Sequence, residues 1–325
     1  MHEISHRVRV DHPVVRLVAA LQYTLQGPDA YLTTWESLLD DQDAWVRALA
    51  RLQLGRMRIL LGQDVQNAEP YLELALTEFR TLGERWGMAF ALTELANRIA
   101  MRGEFGGACE LYEQAIAVVT EVGAIEDVVP MRSRQAQLYW LSGDEESSAA
   151  AMAEAQRYAV RVAWPNALAE LAIAKAELAH WRGDAEQAYR QLGVATEMLG
   201  DAVARESFHA MTHDLLGYLA EDLAEAREHR ASAFQSATEG RSPALIAQVV
   251  IGIADLALRD QQYEQAARLL AASTGVRGLP DRSQPDAARI ERAARDRLGD
   301  TRFAEATLEG AQATLSELVK VTLAS

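Results

Sequence analysis

Apolar residues in this chain fall at helical offsets within single segments, and the whole pattern returns about every 40 residues. Four turns mark the register: Gly62-Gln63, Gly103-Glu104, Gly143-Asp144 and Gly183-Asp184. A small residue follows each one, at Ala68, Ala108, Ser148 and Ala188, and Ala226 and Ala266 continue the series. The intervals between these anchors are 40, 40, 40, 38 and 40 residues. Four residues past the anchors stand Leu72, Tyr112, Met152, Leu192, Arg230 and Leu270; seven past stand Ala75, Ala115, Ala155, Ala195, Ala233 and Ser273. Offsets of 0, 4 and 7 mark one face of a helix. Twelve residues before the anchor, four of the six copies hold Ala96, Ala136, Ala176 and Ala254. Small side chains on two facing helices let them approach closely, so each repeat predicts an antiparallel helix pair.

The expected fold is an all-α, right-handed superhelical solenoid of about seven such pairs. They fall near 14–26/28–41, 43–61/66–82, 84–102/104–122, 125–142/144–163, 165–182/184–200, 202–219/222–239 and 243–259/261–273. Pro165 and Pro243 suit first helical positions, Pro70 pushes its helix start toward Asn67, and Pro130 delays or kinks its helix. Residues 275–285 hold two Gly and two Pro and read as a loop. Helices near 286–298 and 301–320 would then cover the last apolar face, as a solenoid requires. The chain thus divides into an N-terminal segment or linker (1–12), the repeat array (13–273), and a loop with capping helices (274–325).

The small–large–small pattern resembles tetratricopeptide repeats. The match lies in the second helix and the turn. The Trp and Gly of the usual first helix are largely missing, and the period exceeds the usual ~34 residues. The tail sharpens the resemblance. Residues 263–323 run Tyr-Glu-Gln-Ala-Ala-Arg-Leu-Leu-Ala-Ala, a Gly/Pro loop, then Ile-Glu-Arg-Ala-Ala-Arg-Asp-Arg-Leu-Gly-Asp and Arg-Phe-Ala-Glu-Ala. This resembles the C-terminal end of large actinobacterial transcriptional regulators, namely the antibiotic regulatory proteins and the large ATP-dependent LuxR-type activators. The resemblance implies a sensor region that normally follows DNA-binding and ATPase domains. Neither family part is here: Lys175 and Lys320, the only lysines, do not follow glycine, so no Walker-type cradle exists, and no basic helix-turn-helix is evident. The resemblance therefore implies the sensor region alone, as a fragment or as a gene that lost its partners.

Composition narrows the partners. Apolar residues make up 49% of the chain and the net charge is −15. No basic stripe is present to replace counterions on phosphates, which argues against nucleic-acid binding. The same sign disfavours anionic membrane surfaces, and no apolar run approaches the ~20 residues of a span. A single cysteine, Cys109, permits no intramolecular disulfide, and with a polar, His- and Arg-rich start this suggests a cytoplasmic protein.

Candidate chemistry is sparse. His2-Glu3-Ile4-Ser5-His6 matches H-E-x-x-H, but it lacks the surrounding apolar helix and third ligand of a zinc site. His209 and His213 share a helix face, with Asp214 and Glu206 nearby; two packed or solvated histidines are the plainer reading. Cys109 has no local cause for a lowered pKa and reads as an inert buried thiol. No nucleophile elbow, Ser-His-Asp order or dinucleotide turn is found, so no enzyme activity and no cofactor are expected.

The inner face is more informative. In tetratricopeptide arrays the first helix of each pair lines the concave surface. Eleven residues before the anchors stand Met57, Asn97, Gln137, Glu177, Leu215 and Asp255; eight before stand Leu60, Ala100, Trp140, His180, Tyr218 and Leu258. Positions further back add Thr93, Phe90, Ser133, Ile173, Glu170, Met211 and Phe208. The candidate binding set is Phe90, Asn97, Gln137, Trp140, Glu177, His180, Met211, Tyr218 and Asp255. Aromatics beside a few polar anchors suit a groove for a ligand or peptide. Trp140 and Tyr218 could equally pack between helices. Gln137 and Glu177 are expected to face the groove, because burying them unpaired is costly. The ladders offer no Lys or Arg, so a cationic, polar or partly apolar partner is expected. The sequence supports a non-enzymatic sensor module of a bacterial transcriptional regulator, binding a protein, peptide or small-molecule signal. A stand-alone scaffold joining two proteins is the alternative.

Overall fold

The computed structural model describes residues 28–199 and 206–324. The N-terminal segment with its H-E-x-x-H, and the helix expected near 14–26, lie outside the described residues. Among these residues the chain forms fifteen α-helices and no strand. We number them α1 (Pro28–Glu36), α2 (Ala44–Leu60), α3 (Ala68–Leu82), α4 (Arg85–Met101), α5 (Phe105–Glu121), α6 (Val128–Leu141), α7 (Glu145–Val162), α8 (Pro165–Trp181), α9 (Ala185–Leu199), α10 (Glu206–Leu219), α11 (Leu223–Glu239), α12 (Pro243–Arg259), α13 (Tyr263–Arg277), α14 (Pro285–Gln312) and α15 (Leu315–Ala324). Six complete pairs, α2/α3 to α12/α13, build the solenoid, and α1 stands where the second helix of the first pair is expected.

The Gly-acid turns explain the sharp joints. Gly103, Gly143 and Gly183 take φ of 86°, 84° and 78°, the left-handed region that ends a helix at little steric cost. The residue that follows starts the next helix: the Asp144 carboxylate accepts from the Ser147 amide at 3.0 Å, and Asp184 from Gln187 at 2.9 Å. Between the paired helices, all six anchors from Ala68 to Ala266 are fully buried, as are Ala96, Ala136, Ala176 and Ala254. The small–small contacts read from the sequence are therefore the seams of the pairs.

First helices line the inside. At most steps they pack on one another directly: α2 on α4, α6 on α8, α8 on α10, α10 on α12 and α12 on α14. The second helices pack on their own partner and on the next first helix, which makes the array curve. One step of the inner ladder differs. A 3-10 turn at Ile125–Asp127 precedes α6, and Pro130 sits in its first turn. The helix starts late, and α4 and α6 barely touch.

The C-terminal end departs from expectation. Gly299 (φ 74°, ψ 161°) breaks α14 into two arms at the boundary expected between 286–298 and 301–320, but the helix expected at 301–320 ends at Gln312 and a separate α15 follows. Phe303 and Ala306 of the second arm pack with Ala267 and Ala294. Gln265 donates to the Leu318 carbonyl at 2.9 Å and to Thr322 at 3.0 Å, docking α15 on α13. The loop before α14, residues 278–284, crosses the inner face. Its Gly278 lies against the Gly62 carbonyl and Val65, and the Arg282 amide donates to the Met101 carbonyl at 2.9 Å. This strap ties the last pair to the ends of α2 and α4.

Candidate functional site

The inner-face residues separate into a closed stretch and an open one. The closed stretch begins at Arg134 on α6. Its guanidinium donates to Gln137 Oε1 at 2.9 Å and to Ser283 Oγ of the strap at 2.6 Å. Gln137 Nε2 donates to Glu177 Oε2 at 2.7 Å, one repeat further on. His180 Nε2 lies 3.0 Å from Asp286 Oδ2, at the start of α14. Arg289 bridges Asp286 (2.9 Å) and Asp255 (2.7 Å). The His180 and Tyr218 rings stack with centroids 4.7 Å apart, and the Arg230 guanidinium lies 3.9 Å from the Tyr218 ring centre.

This network corrects one expectation. Gln137 and Glu177 were expected to lie open in the groove, but Gln137 is only 4% exposed and Glu177 is half-buried. They are tolerated inside because they pair with each other, which removes the penalty of a lone buried polar group. Asp255 is likewise buried, against Arg289. Burial pushes the Glu177 pKa up, opposed by the Gln137 hydrogen bond and the Arg134 charge. Burial pushes the Tyr218 phenol well above its ordinary value, helped by Asp286 and Asp214. At Asp286 burial works in the raising direction, but the His180 contact and Arg289 outweigh it and hold the carboxyl below the usual range. Trp140 stacks on Trp181, its neighbour across the ladder, at 5.7 Å. Met211 is half-buried against the apolar clusters of α10 to α12. Of the nine candidates, seven thus sit in packing or in a network with the chain's own C-terminal segment.

The remaining two, Phe90 and Asn97, line an open pocket of about 430 Å³ in the gap between α4 and α6. The α4 wall carries Trp86, Phe90, Thr93 and Asn97; the α6 wall carries Asp127, Pro130, Met131 and Arg134, with Tyr112 behind. Each set follows helical spacing and so forms one stripe. Trp86 is 49% exposed and its ring sits 5.3 Å from that of Phe90. The Arg56 guanidinium lies 5.4 Å from the Phe90 ring centre. The Tyr112 hydroxyl donates to Asn97 Oδ1 at 2.6 Å. Sequence reasoning missed Arg134 and Trp86. Arg134 falls one turn before Gln137 on the same helix, which was the available signal. A larger cavity of about 660 Å³ lies beneath the strap, between Gln248, Ile251, Ser273, Leu279 and Ala287.

No protein-family profile and no curated protein sequence matches the chain. Solved structures similar to it include the following. One is a signal-transduction ATPase with numerous domains and a tetratricopeptide repeat sensor, from Pyrococcus horikoshii: identity 14%, TM-score 0.48, covering 96% of this chain and 44% of that one. The second is yeast Tom70: 16%, 0.47, covering 93% and 68%. The third is the apo form of RapI: 14%, 0.45, covering 95% and 84%. This chain spans less than half the length of the first.

His209 and His213 have other partners in the structure. His209 Nδ1 pairs with Ser236 Oγ at 2.8 Å, and His213 Nδ1 meets His229 Nδ1 at 3.0 Å, so one of that pair carries the proton. Asp214, the expected neighbouring ligand, turns into the core to meet Arg230. Among the described residues no group of three His, Cys, Asp or Glu side chains could hold a metal ion. Cys109 is buried, and burial followed by the Glu113 charge pushes its thiol up to about 11. No helix among the described residues is long and apolar enough to cross a membrane.

Proposed function

We propose that this chain is a non-enzymatic sensor and interaction module of a bacterial transcriptional regulator, taking its signal or partner at the open step between α4 and α6. The observation that carries this reading is the gap itself. Elsewhere the first helices close on each other or on the strap. At this step a pocket opens with aromatic walls and a few polar groups, the usual make-up of a binding site. Its hydrogen bonds pair Tyr112 with Asn97 and Arg134 with Gln137 rather than a nucleophile with a base, which supports binding over catalysis. The tail resemblance supports the regulator context, in which differential affinity between two arrangements biases a switch.

The test is a thermal-shift screen of metabolites and peptides against the intact chain. A ligand at a hundredfold excess over its Kd should stabilise the fold by about 2.7 kcal/mol. Phe90→Ala should weaken that ligand by about tenfold, as loss of a buried aromatic contact does, while leaving the fold intact. Binding unchanged in Phe90→Ala would contradict the assignment.

One observation favours a scaffold as a second reading. Leu82, Trp86, Val122, Val160 and Trp164 are exposed, and all lie at joints between successive pairs. A protein partner lost in Trp164→Glu but retained in Phe90→Ala would support it.

A further inference from the structure

The chain carries 47 acidic residues against 32 Lys and Arg, and its buried and half-buried arginines Arg56, Arg98 and Arg132 near α4 and α6 are matched to carboxylates. Arg56 pairs with Glu94 at 3.4 Å, Arg98 with Glu69 at 3.8 Å, and Arg132 with Glu154 at 2.8 Å. Of the two arginines lining the larger cavity, Arg277 is matched to Asp281 at 2.9 Å, while Arg282 reaches the Arg102 carbonyl at 3.5 Å. Arg134 differs. It lines the α4–α6 pocket, yet its hydrogen bonds among the described residues go to a side-chain amide and a hydroxyl, and it has no ion pair there. Neutral hydrogen bonds to an ionised donor are weaker than those to a carboxylate, and the guanidinium fork matches a carboxylate in two-point geometry. The pocket's acid, Asp127, does not take this role. It stands seven residues earlier, at the N-cap of α6, and so at the opposite end of the pocket wall, roughly 10 Å away.

Between these ends the walls are apolar: Trp86, Phe90, Pro130 and Met131. A volume near 430 Å³ suits a body of one or two rings. Asn97 accepts from Tyr112 through its carbonyl oxygen, which leaves its amide hydrogens for a second acceptor. Building on the reading of this pocket as the binding site, we infer that it takes an organic acid with a planar apolar body. The body lies against Trp86 and Phe90, and the carboxylate sits on Arg134.

The same arginine links the pocket to the strap. Ser283 Oγ accepts from Arg134 and donates to Asp281 at 2.7 Å, and the neighbouring Arg282 amide is held by Met101, the last residue of α4. The strap is therefore stapled to both walls of the pocket. A carboxylate that turns the guanidinium toward itself takes the α6 staple away from Ser283.

Titration calorimetry on the full chain tests this with benzoate, naphthoate and phenylbutyrate, each beside its primary amide. An acid of this set should bind at least about tenfold more tightly than its amide, the worth of one charge-assisted pair. Arg134→Gln should reduce the acid to the level of the amide. Ser283→Ala leaves the guanidinium unengaged by the strap, so it should tighten the acid severalfold and leave the amide unchanged; it does so without touching the pocket walls. Equal binding of acid and amide would overturn the acid assignment while leaving the pocket as a binding site. A weaker acid in Ser283→Ala would overturn the link to the strap. No binding by any acid or amide, with tryptophan emission unchanged, would overturn both the inference and the reading beneath it.

Discussion

Arg230 occupies a position where the other copies of the repeat place Leu72, Tyr112, Met152, Leu192 and Leu270. It is fully buried, paired with the Asp214 carboxylate and donating to the Asp214 carbonyl at 2.6 Å. Room for it comes from two glycines. A Cβ on Gly217 would lie 2.7 Å from Arg230 Nε, and one on Gly252 would collide with both Arg230 Nη1 and Asp214 Oδ1. Arginine was legible in the sequence as a break in the pattern. Its glycine neighbours were not, because they come from α10 and α12 and meet only across the pair seam. An arginine tip usually moves aside, but this one is pinned by its ion pair. Gly252→Ala should therefore destabilise by about 1–3 kcal/mol in denaturant unfolding, overpacking outweighing the gain in helix propensity.

The histidine cluster makes a prediction of opposite character. Burial, then His209 and His229, lowers the His213 pKa to about 4. A histidine whose folded pKa lies below its unfolded value of about 6.5 leaves the unfolded chain binding more protons between those two values. Its contribution is present above pH 6.5 and is lost as pH falls toward 4. The Tm should thus drop on acidification from pH 7 to 5, and His213→Asn should lose less over the same range. Equal losses would remove His213 as the cause.

At the level of elements, the pairs were readable because their determinants are local. A glycine with positive φ, an acidic cap and a small residue at the seam all lie within a few residues of one another. Ala108 shows how tight the seam is: it is fully buried where α5 meets α4. Ala108→Leu should cost about 1–3 kcal/mol in chemical denaturation through overpacking. A neutral result would mean that the pairs are looser than the buried alanines imply. The delayed start of α6 was also foreshadowed, by Pro130. Its consequence, the gap to α4, depends on how two repeats stack and could not be read from one segment. The break at Ala313–Thr314 was missed because neither residue is a glycine or a proline, so nothing in the local pattern marks a stop.

The whole molecule is where the sequence reading and the structure differ most. Repeat spacing put Gln137, Glu177, His180, Tyr218 and Asp255 on one inner surface. It could not show that residues 278–289 cover that surface, since the contacts join positions 149 and 106 residues apart through a loop and a helix start. Those candidate residues are engaged by the chain itself, and of the nine only Phe90 and Asn97 line the open pocket between α4 and α6. A superhelix closed by its own tail can register a ligand at one step by loosening contacts at several others.

Amide hydrogen exchange on the intact chain, with and without naphthoate, tests this division most directly. The account predicts slow exchange at Arg282 in the free protein, where its amide is bonded to Met101. It predicts added protection across 86–97 and 127–134 when the probe binds, with faster exchange in 278–286. Exchange of 278–286 at the rate of an open loop in the free protein would contradict the account.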